Sequence, residues 1–259
     1  MIDPAVTAFN QDGVDAHQVQ SLFNRIAPNY DRFNDQFSLG LHRVWKLMTV
    51  KWVNPQPGGC YLDLCCGSGD LAFLLAERAG HQGKVYGVDF AEDLLTIAAQ
   101  RSRQYLPHKD LSNNFGNHAQ PSPQASIIWQ VGDALNLHFP DRFFDGITVG
   151  YGFRNWSNFH QGLQELKRVL KPGAKAALLD FHRPTQPWLA MFQRWFLENQ
   201  VVTSAANLGL QSEYAYILPS LDRFPQGFEQ IQLAQQVGFR EAIHYPLLGG
   251  LMGVLVVQC

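Results

Sequence analysis

The chain has little from which to build a metal centre or a disulfide framework. Its four cysteines are Cys60, Cys65, Cys66 and Cys259, with no C-x-x-C pair, and its nine histidines fall without metal-ligand spacing. Zinc sites and disulfide scaffolds both depend on such spacing. No metal is expected, and the thiols read as reduced, as in the cytosol. Excess charge is also missing: 20 basic against 22 acidic residues leave a net charge of −2. A nucleic-acid partner needs a basic face, so none is expected. No signal peptide is visible, and no apolar run reaches the ~20 residues of a membrane span. The C-terminal run from Leu247 to Val257 is too short and is broken by Gly249, Gly250 and Gly253. It reads as a buried strand.

What is present is a core. The 259 residues are 46% hydrophobic, enough for one large domain or a domain with a cap. Residues 1–13 are polar and predicted to be loose. Residues 14–54 read as an N-terminal helical cap. Val19, Leu22, Phe23 and Ile26 recur at helical spacing, and a second helix is predicted from Leu41 to Val53, ended by Asn54-Pro55-Gln56-Pro57-Gly58-Gly59. From 55 to 259, strands and helices alternate. Strands are predicted at 60–65, 84–89, 126–131, 145–149 and 176–181, and helices at 70–79, 92–103 and 157–170. The last helix stops at Lys171-Pro172-Gly173. An aromatic helix over 188–206, a helix over 230–237 and closing strands at 239–244 and 252–257 complete the reading. Residues 104–125 are rich in Pro and Asn and read as an exposed insertion. The alternation predicts an α/β fold, Rossmann-like, with a mostly parallel seven-stranded sheet and an antiparallel terminal strand.

The most informative segment is Leu62-Asp63-Leu64-Cys65-Cys66-Gly67-Ser68-Gly69-Asp70. It reads as a buried strand, a glycine turn and the start of a helix. Glycines there let backbone approach a ligand, and the helix N-terminus offers N–H groups. Gly67-x-Gly69-x-x-Ala72 fits the dinucleotide fingerprint, which alone is weak. Three acids favour S-adenosylmethionine (SAM) over NAD. Asp63 precedes the first glycine by four residues and is expected to face an ammonium group. Asp89 ends the next strand and can accept both ribose hydroxyls. Asp133, in Gly132-Asp133-Ala134, follows the third strand and can accept from an adenine amino group. Phe90 can pack on adenine or in the core. Each acid taken singly also fits a cap or a turn.

Several blocks in order resemble the ubiquinone/menaquinone biosynthesis C-methyltransferase family. They are Ala27-Pro28-x-Tyr30-Asp31, Ser38-Leu39-Gly40-Leu41-His42-Arg43-x-Trp45-Lys46, Leu62 to Leu71, Gly150-Tyr151-Gly152-Phe153-Arg154-Asn155, Arg168-Val169-Leu170-Lys171-Pro172 and Gly249 to Gly253. Leu179-Asp180-Phe181-His182-Arg183-Pro184 and the segment from Glu213 to Pro225 resemble the cyanobacterial and plastid branch, which methylates demethylphylloquinone. The insertion at 104–125 departs from the family's shorter link, and Phe153 stands where the family often has Leu. The resemblance implies SAM as cofactor and a lipophilic prenylated quinol as substrate. A cytoplasmic enzyme follows, compatible with a peripheral contact at a membrane such as the thylakoid and with a homodimer. Demethylmenaquinol, demethoxyubiquinol and a non-catalytic SAM-binding subunit are the alternatives.

Methyl transfer to a ring carbon needs a reduced, electron-rich ring, in-line alignment, exclusion of water and removal of protons. The resemblance places Arg154 and Asn155 at the quinol. Free guanidinium is a poor base, so Arg154 is expected to stabilise the developing quinolate oxygen; a structural ion pair is the other reading. Asp31 is a candidate proton acceptor and Tyr30 a candidate lid hydrogen bond. His182 has a suitable side chain for acid–base work. Tyr151 closes over SAM or packs, while Tyr214 and Tyr216 line the substrate cavity. Trp188, Phe192, Trp195 and Phe196 share a helix face that fits core, prenyl channel or membrane contact.

Overall fold

In this computed structural model, residues 16–27, 38, 40–105 and 124–259 are described. The predicted loose segment 1–13, most of the insertion at about 104–125, and Tyr30 and Asp31 lie outside the described residues. Two helices precede the sheet, α1 (Ala16–Ile26) and α2 (Leu41–Val53). There follow β1 (Cys60–Leu64), α3 (Asp70–Ala79), β2 (Lys84–Asp89), α4 (Glu92–Tyr105), β3 (Ser126–Val131) and β4 (Phe144–Gly150). After a single 3₁₀ turn at Phe153–Asn155 come α5 (Phe159–Val169) and β5 (Leu170–Phe181). The chain closes with α10 (Gly227–Val237), β6 (Glu241–Leu247) and β7 (Met252–Gln258).

The seven strands lie in the order β3-β2-β1-β4-β5-β7-β6. β1 to β5 pair in parallel, and β7 runs antiparallel to both β5 and β6. Strand side chains alternate between two cores, as the period of two requires. Tyr61, Val85, Ala177 and Leu179 pack on one face with α2 and α3. Leu62, Val88, Ile147 and Leu178 pack on the other with α5 and α10. Both faces are covered, which is why these strands read as apolar runs. The order reverses between β1 and β4, and such a switch point opens a crevice at the carboxyl ends of the strands.

The predicted aromatic helix is broken. It is α-helical over Pro187–Phe196 (α6), widens to a π turn at Leu197–Val201 and resumes as α7 (Val202–Ala206). Two short helices not foreseen, α8 (Gln211–Ala215) and α9 (Ile217–Arg223), follow. Together with α1 they form a separate apolar cluster that includes Val19, Leu22, Leu197, Tyr214 and Leu221. This cluster is the cap over the crevice.

Candidate active site

Two cavities meet at the switch point. The smaller is lined by the ends of β1, β2 and β4 and by the segment after β3, through Cys65, Gly67, Asp89, Asp133, Ala134 and Asn155. The larger, ≈ 290 Å³, lies between the cap and the strand ends. Its walls are mostly apolar, with Trp45, Phe181, Phe192, Phe196 and Tyr214 among them. Phe23 and Tyr151 line both cavities. Tyr151 has φ +63° and Cys65 φ +55°, a left-handed backbone that non-glycine residues keep only where packing enforces it. These two strained residues exit β4 and β1 side by side. A Cβ on Gly152 would lie 2.3 Å from the Cys65 Cβ, so the Gly150-Tyr151-Gly152 turn needs its second glycine for this approach.

Asp89 is the last residue of β2 and sits on the floor of the small cavity, 4% exposed. Its Oδ2 accepts from Gly67 N at 2.8 Å and its Oδ1 from Ala91 N at 2.9 Å. Burial pushes its carboxyl up to about 6 against those donors. A carboxylate has about four lone-pair sites, so these backbone donors leave acceptor capacity for hydroxyls. Asp133 is exposed at the rim and its Oδ1 accepts from Leu135 N at 2.9 Å. Phe90 lines the same cavity, and its carbonyl takes a hydrogen bond from Gln20 of α1 at 2.5 Å. Asn155 contributes Oδ1, a buried acceptor with no hydrogen-bond partner.

The cavity is therefore rich in acceptors, while three of the loop's N–H donors serve the fold. Gly67 N serves Asp89, Gly69 N serves the Cys66 carbonyl at 2.9 Å, and Ala72 N serves Asp63. A pyrophosphate would need those N–H groups. A cofactor with an ammonium, ribose hydroxyls and an adenine amino group needs acceptors. The residues fit SAM.

Three of the expected site residues lie away from both cavities. Asp63 lines neither cavity: it is fully buried, Oδ2 accepting from Ala72 N at 2.9 Å and Oδ1 from Thr148 Oγ1 at 2.9 Å. α3 starts at a glycine N-cap that has no side chain to offer, and Asp63 satisfies the helix's orphan N–H in its place. Burial raises its carboxyl to about 7. Gly69 is required less for ligand approach than for the fold. Its φ is +91°, and a Cβ would lie 2.5 Å from the Trp129 ring. His182 lines neither cavity. Its Nδ1 lies 3.0 Å from the Asp180 carbonyl, and its Nε2 lies 2.8 Å from Gln230 Nε2 and 2.9 Å from His244 Nε2. Donation from Nδ1 leaves Nε2 to accept, and burial lowers its pKa. It is a neutral strut between β5, β6 and α10.

The Arg154–Asn155 pair is divided by the 3₁₀ turn. Asn155 faces the small cavity and Arg154 the large one. Arg154 Nη1 donates to Asp180 Oδ1 at 2.7 Å and to the Tyr151 carbonyl at 2.7 Å, and its backbone N donates to Asp180 Oδ2 at 2.9 Å. Its guanidinium lies 5.3 Å from the Phe181 ring centroid. Asp180, unassigned from sequence, is thus the residue that orients Arg154. It lies next to the end of β5, and the rule that picked out Asp89 would have picked it. Tyr214 and Tyr216 line the large cavity.

Residues 11–257 match the ubiE/COQ5 methyltransferase family. The chain belongs to this family. Like its other members it is a SAM-dependent methyltransferase. It is 56% identical over 242 residues, covering 93% of this chain and 98% of the other, to a 2-phytyl-1,4-naphtoquinone methyltransferase of Nostoc punctiforme. A Synechocystis protein of the same name is 51% identical over 93% of this chain and 94% of its own. The chloroplastic 2-phytyl-1,4-beta-naphthoquinone methyltransferase of Arabidopsis thaliana is 44% identical over 92% of this chain and 85% of its own. A SAM-dependent methyltransferase from Thermotoga maritima superposes with a TM-score of 0.60 at 18% identity, over 92% of this chain and 98% of that one. One from Aquifex aeolicus gives 0.56 at 17%, over 84% and 91%. These two likenesses bear on the fold alone.

Proposed function

We propose that this methyltransferase methylates the ring of a 2-phytyl-1,4-naphthoquinol, a step of phylloquinone biosynthesis. The observation that carries the reading is the junction of an acceptor-lined cavity with a larger apolar one at Tyr151 and Phe23. The names of the relatives supply the substrate class. SAM supplies a methyl group on a cationic sulfur. Asp89 and Asp133 hold hydroxyl and amino donors, and Asn155 Oδ1 takes a further donor such as an ammonium. Tyr151 and Phe23 bound the opening through which the methyl group faces the ring. The apolar walls hold the ring and prenyl chain and exclude water, which strengthens every charge interaction inside. Arg154, aimed by Asp180, donates to the quinol oxygen as it gains negative charge.

The lipid chain implies a route. Trp188, Met191 and Trp195 on α6 are 66%, 70% and 51% exposed, and Phe192 and Leu248, each 50% exposed, also line the large cavity. Among the described residues no helix is long and apolar enough to cross a membrane. We take this apolar face as the contact with a lipid surface, continuous with the cavity that receives the tail. The test of the main reading is transfer of labelled methyl from SAM to a panel of quinols reduced under anaerobic conditions. The phytyl naphthoquinol should be methylated, and preference for a benzoquinol would refute the assignment. SAM binding without turnover of any quinol would leave a non-catalytic binder.

A further inference from the structure

The large cavity holds a carboxylate that the reading above does not use. Glu213 of α8 lines it, together with Leu22, Ile26, Leu197 and Tyr214. It is 6% exposed. Its Oε1 pairs with Nη1 of Arg25 on α1 at 2.7 Å, and its Oε2 accepts from Ser212 Oγ at 2.9 Å. A carboxylate has about four lone-pair sites, so these two contacts leave acceptor capacity.

An ion pair that ties α8 to α1 is the purely structural reading. The Arg25 side chain is 61% exposed, and a pair with so exposed a partner adds little stability. Against that gain stands the cost of taking a carboxylate out of water into an apolar wall. A latch placed on the outer surface would avoid the cost. A carboxylate that must meet a ligand inside the cavity could not.

Among the described residues that line the cavity, Glu213 is the only carboxylate and Arg154 the only guanidinium. A quinol presents two O–H groups to them. Its oxidised quinone presents two carbonyl oxygens, which only accept. Arg154 stays protonated and can donate to an oxygen of either form. Glu213 can only accept. It gains a hydrogen bond from a quinol O–H, whereas a carbonyl sets lone pair against lone pair.

We propose that Glu213 selects the reduced substrate, accepting from the quinol hydroxyl that Arg154 does not serve and rejecting the quinone. This rests on the quinol reading above and adds to it the group that reads the oxidation state. The quinone has the same ring skeleton and tail and fills the same apolar walls, but its ring carbon is too electron-poor to be methylated. A site built to bond a substrate hydroxyl discriminates against the analogue that lacks it, so the quinone does not occupy the site as an unreactive competitor.

The test is calorimetry of 2-phytyl-1,4-naphthoquinone, oxidised or reduced with dithionite under anaerobic conditions, binding to protein saturated with S-adenosylhomocysteine in one detergent. A thermal melt of each protein accompanies it. Wild type should prefer the quinol. Glu213→Gln should weaken quinol binding by about ten- to a hundredfold. It should hold the quinone as well as wild type or better, because an amide N–H can donate to a carbonyl. Arg25→Met removes the exposed partner but keeps the carboxylate, and its preference should stay close to that of wild type. The 1,4-dimethyl ether of the quinol is redox-inert and has no O–H, so wild type should bind it no better than the quinone; this arm needs no substitution. A wild-type preference in Glu213→Gln would overturn the proposal. So would an equal loss in Arg25→Met, which would make the pair a latch, or a dimethyl ether bound as tightly as the quinol. Methyl transfer from SAM, followed in parallel, keeps the two readings apart. Turnover of the quinol without a binding preference for it would sink this proposal alone, and a preference for the quinol without any turnover would sink the functional reading alone.

Discussion

Asp89 is the residue whose substitution should separate cofactor binding from folding. It carries two internal hydrogen bonds, from Gly67 N and Ala91 N, and its remaining acceptor sites face the small cavity. Hydrogen bonds to a charged group are worth about 1.5–3 kcal/mol. Asp89→Ala should therefore loosen SAM by about ten- to a hundred-fold. It also orphans two buried N–H groups, each costing about 1–3 kcal/mol, so stability to urea should fall by about 2–6 kcal/mol. Asp89→Asn keeps one acceptor oxygen and should lose less of both. The acidic limb gives an independent check. Burial raises the Asp89 carboxyl from its ordinary 3.8 to about 6, so the folded protein holds this proton more tightly than the unfolded chain. The stabilisation is complete below about pH 4 and is lost as pH rises through about 6, a change of about 3 kcal/mol. SAM binding runs the other way: only the carboxylate accepts two hydroxyls fully, so affinity should weaken below about pH 6. Calorimetry of SAM binding from pH 5 to 8 and urea melts over the same range measure both. Unchanged SAM affinity in a folded Asp89→Asn protein would refute the assignment. Affinity that stays flat down to pH 5 in wild type would do the same for the titration argument.

Asp180→Ala leaves the buried Arg154 guanidinium without its carboxylate and should cost about 3–5 kcal/mol in a urea melt; adding Arg154→Met should recover part of that loss, and a single-mutant cost under 1 kcal/mol would contradict the buried pair. Arg154→Lys keeps the charge but loses the planar fork, so kcat should fall about 10²–10³-fold with SAM affinity retained, and equal loss of both would move the residue to the cofactor. Gly69→Ala sets a Cβ against Trp129 at φ +91° and should destabilise by about 2–4 kcal/mol, seen as a lowered Tm; a change under 1 kcal/mol would mean that Trp129 yields easily. Trp188→Ser with Trp195→Ser should weaken co-sedimentation with lipid vesicles while leaving SAM binding intact, and unchanged sedimentation would remove α6 from the membrane contact.

The parallel core was legible because buried strands must be apolar throughout and are punctuated by glycines and acids where they end. β6 was misplaced, predicted at 239–244 and found at Glu241–Leu247. Pro246 argues against a strand interior, yet β6 pairs only with β7 at the sheet edge, where a missing N–H is tolerated. α8 and α9 were missed because five and seven residues are too few for a helical period to emerge. At the site, the sequence reading separated the right residue types but not their duties. Asp89 closes β2 and reaches past the sheet into the cavity. Asp63 lies one residue inside β1, so its side chain follows the strand's alternation into the sheet's face and meets Ala72 and Thr148. Thr148 lies 85 residues away in sequence. Arg154 and Asn155 are neighbours in the chain, yet a 3₁₀ turn sends one to each cavity. Which strand-end acids and polar pairs serve the ligand and which serve the fold is thus decided by donors brought in from distant segments. A pattern of spacing along one chain carries no trace of them. Asp180 could be picked as a strand-end acid, but its duty was hidden for the same reason, since its partner Arg154 arrives from the 3₁₀ turn after the neighbouring strand. Once that contact is seen, the arginine's role changes from a lone charge to a donor with a fixed direction.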